Sequence, residues 1–294
     1  MMRLLITGVS GFLGWNICQL AKGRWQVFGT VFSHTLEIDG VNIIRIDLRD
    51  LKELRRLFKE IRPQAVIHTA GVTSPNFCQL HRMEAQRINV DASINIACLC
   101  ADYSIPCVFT STDIVFDGMN PPYKEDDPVC PINFYGEQKV MAERGMLRYY
   151  PDITICRMPL MFGVAPPTSS SFIQPMIKAM REGEEIRLFI DEIRTPISGW
   201  TAAEGILLAL ERVKGVIHLG GIERISRYEF GRLLSDVMDI KDAKLIPCRQ
   251  SDIPMPAPRP PDVSLDSSKA FSLGFKPLPL IEELQRIMPL LTDL

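Results

Sequence analysis

The chain has 294 residues, 46% of them hydrophobic and 23% charged, enough apolar sequence to bury a substantial core in one large domain or two. A net charge of -2 with no local basic cluster leaves no electrostatic footprint for nucleic acid or an anionic membrane surface, so neither is an expected partner. No apolar run approaches the roughly 20 residues that span a bilayer, and the first residues lack the apolar stretch and cleavage site of a signal peptide, so a cytoplasmic protein is expected.

Leu4-Leu5-Ile6-Thr7 has strand character and breaks at Gly8, after which Phe12, Leu13, Ile17, Leu20 and Ala21 recur at helical spacing. The pattern predicts a strand, a tight glycine turn and a helix. Gly8 permits backbone angles closed to other residues, Gly11 lets the main chain approach a ligand, and Gly14 lets helix and strand pack closely. The helix N-terminus then offers N–H groups and partial positive charge to a pyrophosphate. Three glycines alone are a weak signal, but these follow a strand and precede a helix, which is the context a dinucleotide site requires.

Residues 26–31 read as a second strand and 43–46 as a third. Asp47 or Asp50 can cap the next helix, whose Leu51, Leu54, Leu57, Phe58 and Ile61 form one apolar face before Pro63 ends it. A short fourth strand over 65–68 leads to a loop over 71–80, a long helix over 85–103 and, after Pro106, an apolar strand over 107–111. Such alternation predicts an α/β fold with a parallel sheet covered on both faces, and ligands of such sheets bind beyond the carboxyl ends of the strands.

Beyond the strand over 107–111 comes Thr112-Asp113-Ile114-Val115-Phe116-Asp117-Gly118, and Tyr135-Gly136-Glu137-Gln138-Lys139 opens a further helix. Tyr135 and Lys139, four apart, share one helical face, where the ammonium would move the phenol's pKa from about 10 toward neutrality and make it a proton donor or acceptor. In an arbitrary helix such a pair is a surface feature. The glycines and the hydroxyl-rich strand end make it a catalytic candidate.

The remainder is less regular. A flexible loop over 166–171 precedes a helix over 172–180 with Ile173, Met176, Ile177 and Met180 on one face. Arg194-Thr195-Pro196-Ile197 reads as the start of a strand, 200–210 as a helix, 216–219 as a strand and 227–238 as a helix. The proline run over 253–261 cannot be helical and reads as an extended connection. Eight cysteines in a chain this long do not make a disulfide scaffold; Cys18, Cys98, Cys100, Cys107 and Cys156 lie in apolar segments and read as buried small hydrophobes. His34, His68, His81 and His218 form no close pair and no Cys-x-x-Cys occurs, so no metal site is expected.

Gly8-x-x-Gly11-x-x-Gly14, Ser111-Thr112-Asp113 with Val115-Phe116-Asp117-Gly118, Tyr135-x-x-x-Lys139, and Arg157-x-Pro159 with Phe162-Gly163 resemble the extended short-chain dehydrogenase/reductases. Within them the chain is most similar to the dTDP-4-dehydrorhamnose reductase branch. Asn89-Val90-Asp91-Ala92 and Arg259-Pro260-x-Asp262-x-x-Leu265-Asp266 extend the resemblance over nearly the whole length, more loosely beyond the first 165 residues.

The resemblance implies a Rossmann-type doubly wound parallel sheet over 1–159, rejoined by part of 194–220, with a smaller substrate-covering part over 160–294. It implies a cofactor surface of Gly8, Ser10, Gly11, Phe12, Leu13, Gly14, Thr30, Ser33, His34, Asp47, Leu48, Ala70, Gly71, Lys139 and Pro159, with Asp47 and Leu48 at the adenine. It implies Thr112, Tyr135 and Lys139 as the catalytic trio, acting on a nucleotide-linked 4-keto sugar, with Asp113, Arg194 and Arg259 toward the substrate. An arginine's planar fork suits a pyrophosphate, although Arg194 or Arg259 could equally be a solvated surface charge. Ile114 stands where the branch usually has tyrosine, and the run Met158–Met161 replaces a common aromatic. The same motifs also resemble the regulatory beta subunit of methionine adenosyltransferase, so the alternatives are an epimerase using the same trio and a cofactor-binding regulatory subunit without catalysis.

NAD-preferring sites usually carry an acidic residue about 20 residues after the glycines. Here the second strand ends Thr30-Val31-Phe32-Ser33-His34 with no carboxylate before Glu37, a segment that tolerates a 2′-phosphate held by Ser33 and a protonated His34. No arginine stands in that segment, which predicts NADP(H) with moderate preference and NAD(H) as the alternative. In the family, the helices corresponding to 85–103 and 135–147 often build a two-fold interface. Their Ile88, Ile94, Cys98, Met141 and Met146 are read as outer-face residues, and a homodimer is expected.

Overall fold

The computed structural model describes residues 1–291. Its first half runs β1 (Arg3–Thr7), α1 (Phe12–Ala21), β2 (Gln26–Val31), β3 (Val41–Arg45), α2 (Leu51–Ile61), β4 (Ala65–His68), α3 (Pro75–Leu80) and α4 (Arg82–Gln86). α4 continues through a π-turn over Arg87–Asp91 into α5 (Ala92–Asp102), followed by β5 (Cys107–Thr112), α6 (Phe134–Tyr149), β6 (Thr154–Met158) and β7 (Met161–Phe162). Then come α7 (Ile173–Arg181), β8 (Glu185–Phe189), β9 (Ile193–Arg194), β10 (Ile197–Ser198), α8 (Gly199–Arg212) and β11 (Gly215–His218). β12 (Ile225–Ser226), α9 (Arg227–Val237), β13 (Lys244–Cys248), α10 (Ser268–Ser272) and α11 (Leu280–Ile287) complete it.

Seven strands form one parallel sheet in the order β11-β6-β5-β4-β1-β2-β3, the doubly wound arrangement expected from the alternation of strand and helix. Alternate residues of a strand point to opposite faces. Leu4 and Ile6 therefore join Ile17, Val27, Ile67 and the α8 residues Ala202 and Ile206 in one core, whereas Leu5 joins Leu54, Phe58, Val66, Phe109 and Ile155 in another. Both faces are dry, which explains why the strands read as continuous apolar runs. A third cluster, built on Phe162, Ile173, Met176, Phe230, Leu234 and Leu284, lies away from the sheet.

Several elements depart from expectation. The segment over 71–80 is not all loop: Ser74 caps α3 by accepting from the Phe77 N–H, and Pro75 takes the first helical position. The long helix starts three residues earlier than expected and carries the π-turn, which holds Asn89 against the chain after β4. There its side chain accepts from the Val72 N–H at 2.8 Å and donates to the Val72 carbonyl at 3.0 Å and to Gln138 Oε1 at 2.9 Å. Asp50, not Asp47, caps α2. Met146 is fully buried in the second core, because α6 turns that face onto the sheet, so it is no outer-face residue. Met141 is exposed, while Ile88, Ile94 and Cys98 are half-buried. Cys18, Cys100, Cys107 and Cys156 are buried as expected. Among the described residues no helix is long and apolar enough to cross a membrane.

Candidate active site

A cavity of about 910 Å³ runs along the carboxyl ends of β1, β2, β4, β5 and β6. Every residue that the sequence reading singled out for cofactor, catalysis or substrate lines it: Gly8, Ser10 to Gly14 and Thr30, then Ser33, His34, Asp47 and Leu48, with Ala70, Gly71 and Pro159, and Thr112, Asp113, Tyr135, Lys139, Arg194 and Arg259.

The glycine turn is built for close approach. Gly8 has φ +77°, and a Cβ there would come within 2.7 Å of the Ala70 Cα; a Cβ on Gly14 would lie 2.5 Å from the Gly8 carbonyl oxygen. The amides of Gly8 and Val9 both donate to the Thr30 carbonyl at 3.0 Å, tying the turn to β2. No side chain caps α1 at Gly11 and its first turn holds no acidic residue. Its leading N–H groups therefore face the cavity as a ready anion site, and this donor set fits a dinucleotide pyrophosphate.

Asn133 caps α6 by accepting from the Gly136 N–H at 2.9 Å, which sets Tyr135 in the first turn and Lys139 one turn later. Lys139 is buried. Its Nζ donates to the Thr110 carbonyl at 2.8 Å and lies 4.5 Å from the Phe109 ring centroid but 6.0 Å from that of Tyr135. Burial lowers its pKa to about 8, against opposing pulls from Glu143 and Cys78. The Tyr135 phenol is pushed up instead of down, first by desolvation and then by Asp113 and Cys78, with the Thr112 hydroxyl pulling the other way. The expected lowering by Lys139 is thus not what this environment produces, because the ammonium is turned to a carbonyl and an aromatic face. Burial thus favours the neutral form of the Tyr135 phenol.

Thr112 ends β5, its hydroxyl donating to Asp113 Oδ1 at 3.1 Å. Asp113 faces Arg194 across 3.1 Å with both side chains buried, and Arg194 also reaches Glu192 at 3.3 Å. Burial raises the Asp113 pKa against the attraction of Arg194. Arg194 is therefore no solvated surface charge. It comes to the cavity engaged by two carboxylates. Arg259 donates to Asn76 Oδ1 at 3.1 Å and to the Ala257 carbonyl at 3.3 Å, so the proline-rich connection is pinned to α3.

Three groups escaped the sequence reading. Arg227, first residue of α9, stacks 3.9 Å from the Phe172 centroid with its Nη1 buried and unpartnered; only the tertiary approach of α9 to the loop before α7 brings it there. Glu143, one turn beyond Lys139, is buried with Arg157 at 2.9 Å and accepts from the Ser111 hydroxyl at 2.5 Å; its i, i+4 spacing from Lys139 was the available signal. Arg49 lines the same cavity as Phe32, Ser33 and His34, so an arginine from the segment after β3 joins the arginine-free segment after β2. The parallel register pairs Val31 with Arg45, so the segment leaving β3 lies beside the segment leaving β2.

Comparison with known proteins agrees with this geometry. The family model described as the RmlD substrate binding domain matches residues 2–291. The methionine adenosyltransferase 2 subunit beta of Danio rerio is 27% identical over 282 residues, covering 92% of this chain and 85% of that protein. A solved dTDP-4-dehydrorhamnose reductase from Clostridium acetobutylicum superposes with a TM-score of 0.87 at 27% identity, covering 99% of each chain. A structure titled hypothetical dTDP-4-dehydrorhamnose reductase, from Sulfolobus tokodaii, gives a TM-score of 0.81 at 32% identity over 96% of this chain and 99% of that one. Both resemblances drawn from the motifs are thereby borne out, and the chain belongs to the RmlD substrate binding domain family.

Proposed function

We propose that the protein is an NADP(H)-dependent reductase of a nucleotide-linked 4-keto sugar. The observation that carries this reading is the convergence of Thr112, Tyr135 and Lys139 on the cavity that the uncapped N-terminus of α1 opens into. The glycine turn and α1 N–H groups would hold the cofactor's pyrophosphate, Asp47 and Leu48 its adenine end, and Ala70, Gly71, Lys139 and Pro159 the remainder. When bound, the cofactor supplies hydride to the carbonyl carbon. The chain's own part is to receive the keto oxygen between the hydroxyls of Thr112 and Tyr135, and to pass the phenolic proton to that oxygen as negative charge develops on it. The neutral phenol suits this role as an acid, and Lys139, anchored by the Thr110 carbonyl, would hold the cofactor's ribose. Arg194 and Arg259 line the substrate end of the cavity, and their planar forks suit a diphosphate-bearing sugar.

The same reading assigns residues 1–159, with part of 194–220, to cofactor binding and the smaller part over 160–294 to covering the substrate; the separate core around Phe162, Ile173 and Phe230 supports that division. A second reading, a cofactor-binding regulatory subunit, draws on the similarity to the methionine adenosyltransferase subunit. Screening 4-keto nucleotide sugars for stoichiometric NADPH oxidation separates the readings. Oxidation with one of them is the expected result; tight cofactor binding without oxidation of any would favour the regulator, and sugar interconversion without net oxidation an epimerase.

The rate of reduction should also fall above about pH 8. Lys139 is protonated below its lowered pKa and loses its charge as pH rises through about 8, removing the cation that would hold the cofactor's ribose. A kcat/KM profile that stays flat to pH 10 would contradict this.

A further inference from the structure

Beyond the end of β2, the rim of the cavity holds Phe32, Ser33 and His34, and Ser33 Oγ lies 3.1 Å from His34 Nδ1. Arg45 reaches across from the end of β3 and donates its Nε–H to the Phe32 carbonyl at 3.0 Å, fixing that rim. Arg49 lies with its guanidinium 5.1 Å from the centroid of the exposed Phe32 ring. Asp47 occupies one edge of the fork, with Nε at 2.8 Å and Nη2 at 2.7 Å, and about a third of the side chain remains open to solvent. Nη1 has no protein acceptor among the described residues, and Arg49 lines the cavity.

We propose that Arg49 is the residue that selects a cofactor bearing a 2′-phosphate, and that the preference for NADPH over NADH is consequently strong. The inference rests on the dinucleotide reading of the glycine turn. A phosphate monoester carries up to two negative charges and three acceptor oxygens, and a guanidinium offers paired donors at matching spacing. The Phe32 face holds the guanidinium in place, Ser33 supplies a neutral donor and His34 a ring nitrogen. No carboxylate stands at the end of β2 to accept from a ribose hydroxyl or to repel a phosphate. Asp47 keeps Arg49 neutralised and positioned before the ligand arrives, and shares it afterwards.

The test is equilibrium binding, independent of turnover. NADPH, NADH, adenosine 2′,5′-bisphosphate and 5′-AMP are titrated into the full chain and into Arg49→Ala and Arg49→Lys. Wild type should bind NADPH and the bisphosphate roughly 10- to 100-fold tighter than their counterparts without the 2′-phosphate, the scale of a charge-assisted pair at a half-exposed site. Arg49→Ala should remove most of that difference while NADH and 5′-AMP change less than about three-fold, and Arg49→Lys should retain part of it. Equal binding of NADPH and NADH by wild type, or an equal loss of both in Arg49→Ala, would overturn the proposal and leave the dinucleotide reading intact. Failure of all four ligands to bind would remove that reading and the proposal with it.

Discussion

Tyr135→Phe is expected to slow single-turnover reduction of a 4-keto nucleotide sugar by roughly 10² or more while cofactor affinity stays nearly unchanged. The substitution removes one oxygen. The ring, buried against Cys78 and Ala85, keeps its packing. The hydroxyl removed is the proposed proton donor, and Thr112 beside it has no acidic proton to offer in its place. Lys139→Ala should do more harm, because it takes away the group that would hold the cofactor's ribose and leaves the Thr110 carbonyl without its 2.8 Å donor. Rapid-quench measurement on wild type and both variants, beside cofactor titration, reads both effects. A wild-type protein that binds cofactor tightly and oxidises none of it, with Tyr135→Phe indistinguishable from it, would sink the catalytic reading in favour of a regulatory one.

Arg157→Ala should lower stability by about 3–5 kcal/mol, the usual cost of leaving a buried charge without its partner. Arg157 meets Glu143 through Nε at 3.1 Å and Nη2 at 2.9 Å, and both side chains are buried. Without the guanidinium, Glu143 would keep only the Ser111 hydroxyl as a strong donor and would have to take up a proton or draw in water. Because Ser111 precedes Thr112, the damage would reach the cavity end of β5 as well as the core. Replacing both partners, Arg157→Met with Glu143→Gln, should restore much of the loss, since the uncompensated charge is then gone. Urea denaturation monitored by circular dichroism measures this. A loss below about 1 kcal/mol for Arg157→Ala would show that the pair is not the closed, dry contact described above.

The sequence alone determined the features whose physics is local. Strands buried on both faces must be apolar throughout, so β1, β4 and β5 announced themselves, and the glycines of the first turn are required by backbone angles and contacts within a few residues. Tyr135 and Lys139 were legible because helical geometry sets residues four apart on one face. What the tertiary structure decided depended on neighbours remote in the chain. Arg49 reaches the rim of β2 only because parallel pairing sets Arg45 beside Val31. Asp113 meets Arg194 from a distant stretch of the chain, and Arg227 arrives with a helix from the other core. The direction of the Tyr135 pKa shift was likewise out of reach of spacing. Proximity of an ammonium along a helix predicts a lowered phenol, but the charge is held by Thr110 and Phe109, and the water removed by burial together with Asp113 outweighs it. Desolvation is a property of the enclosure around a group, and that enclosure exists only once the sheet, α6 and the loops beyond the strand ends have come together.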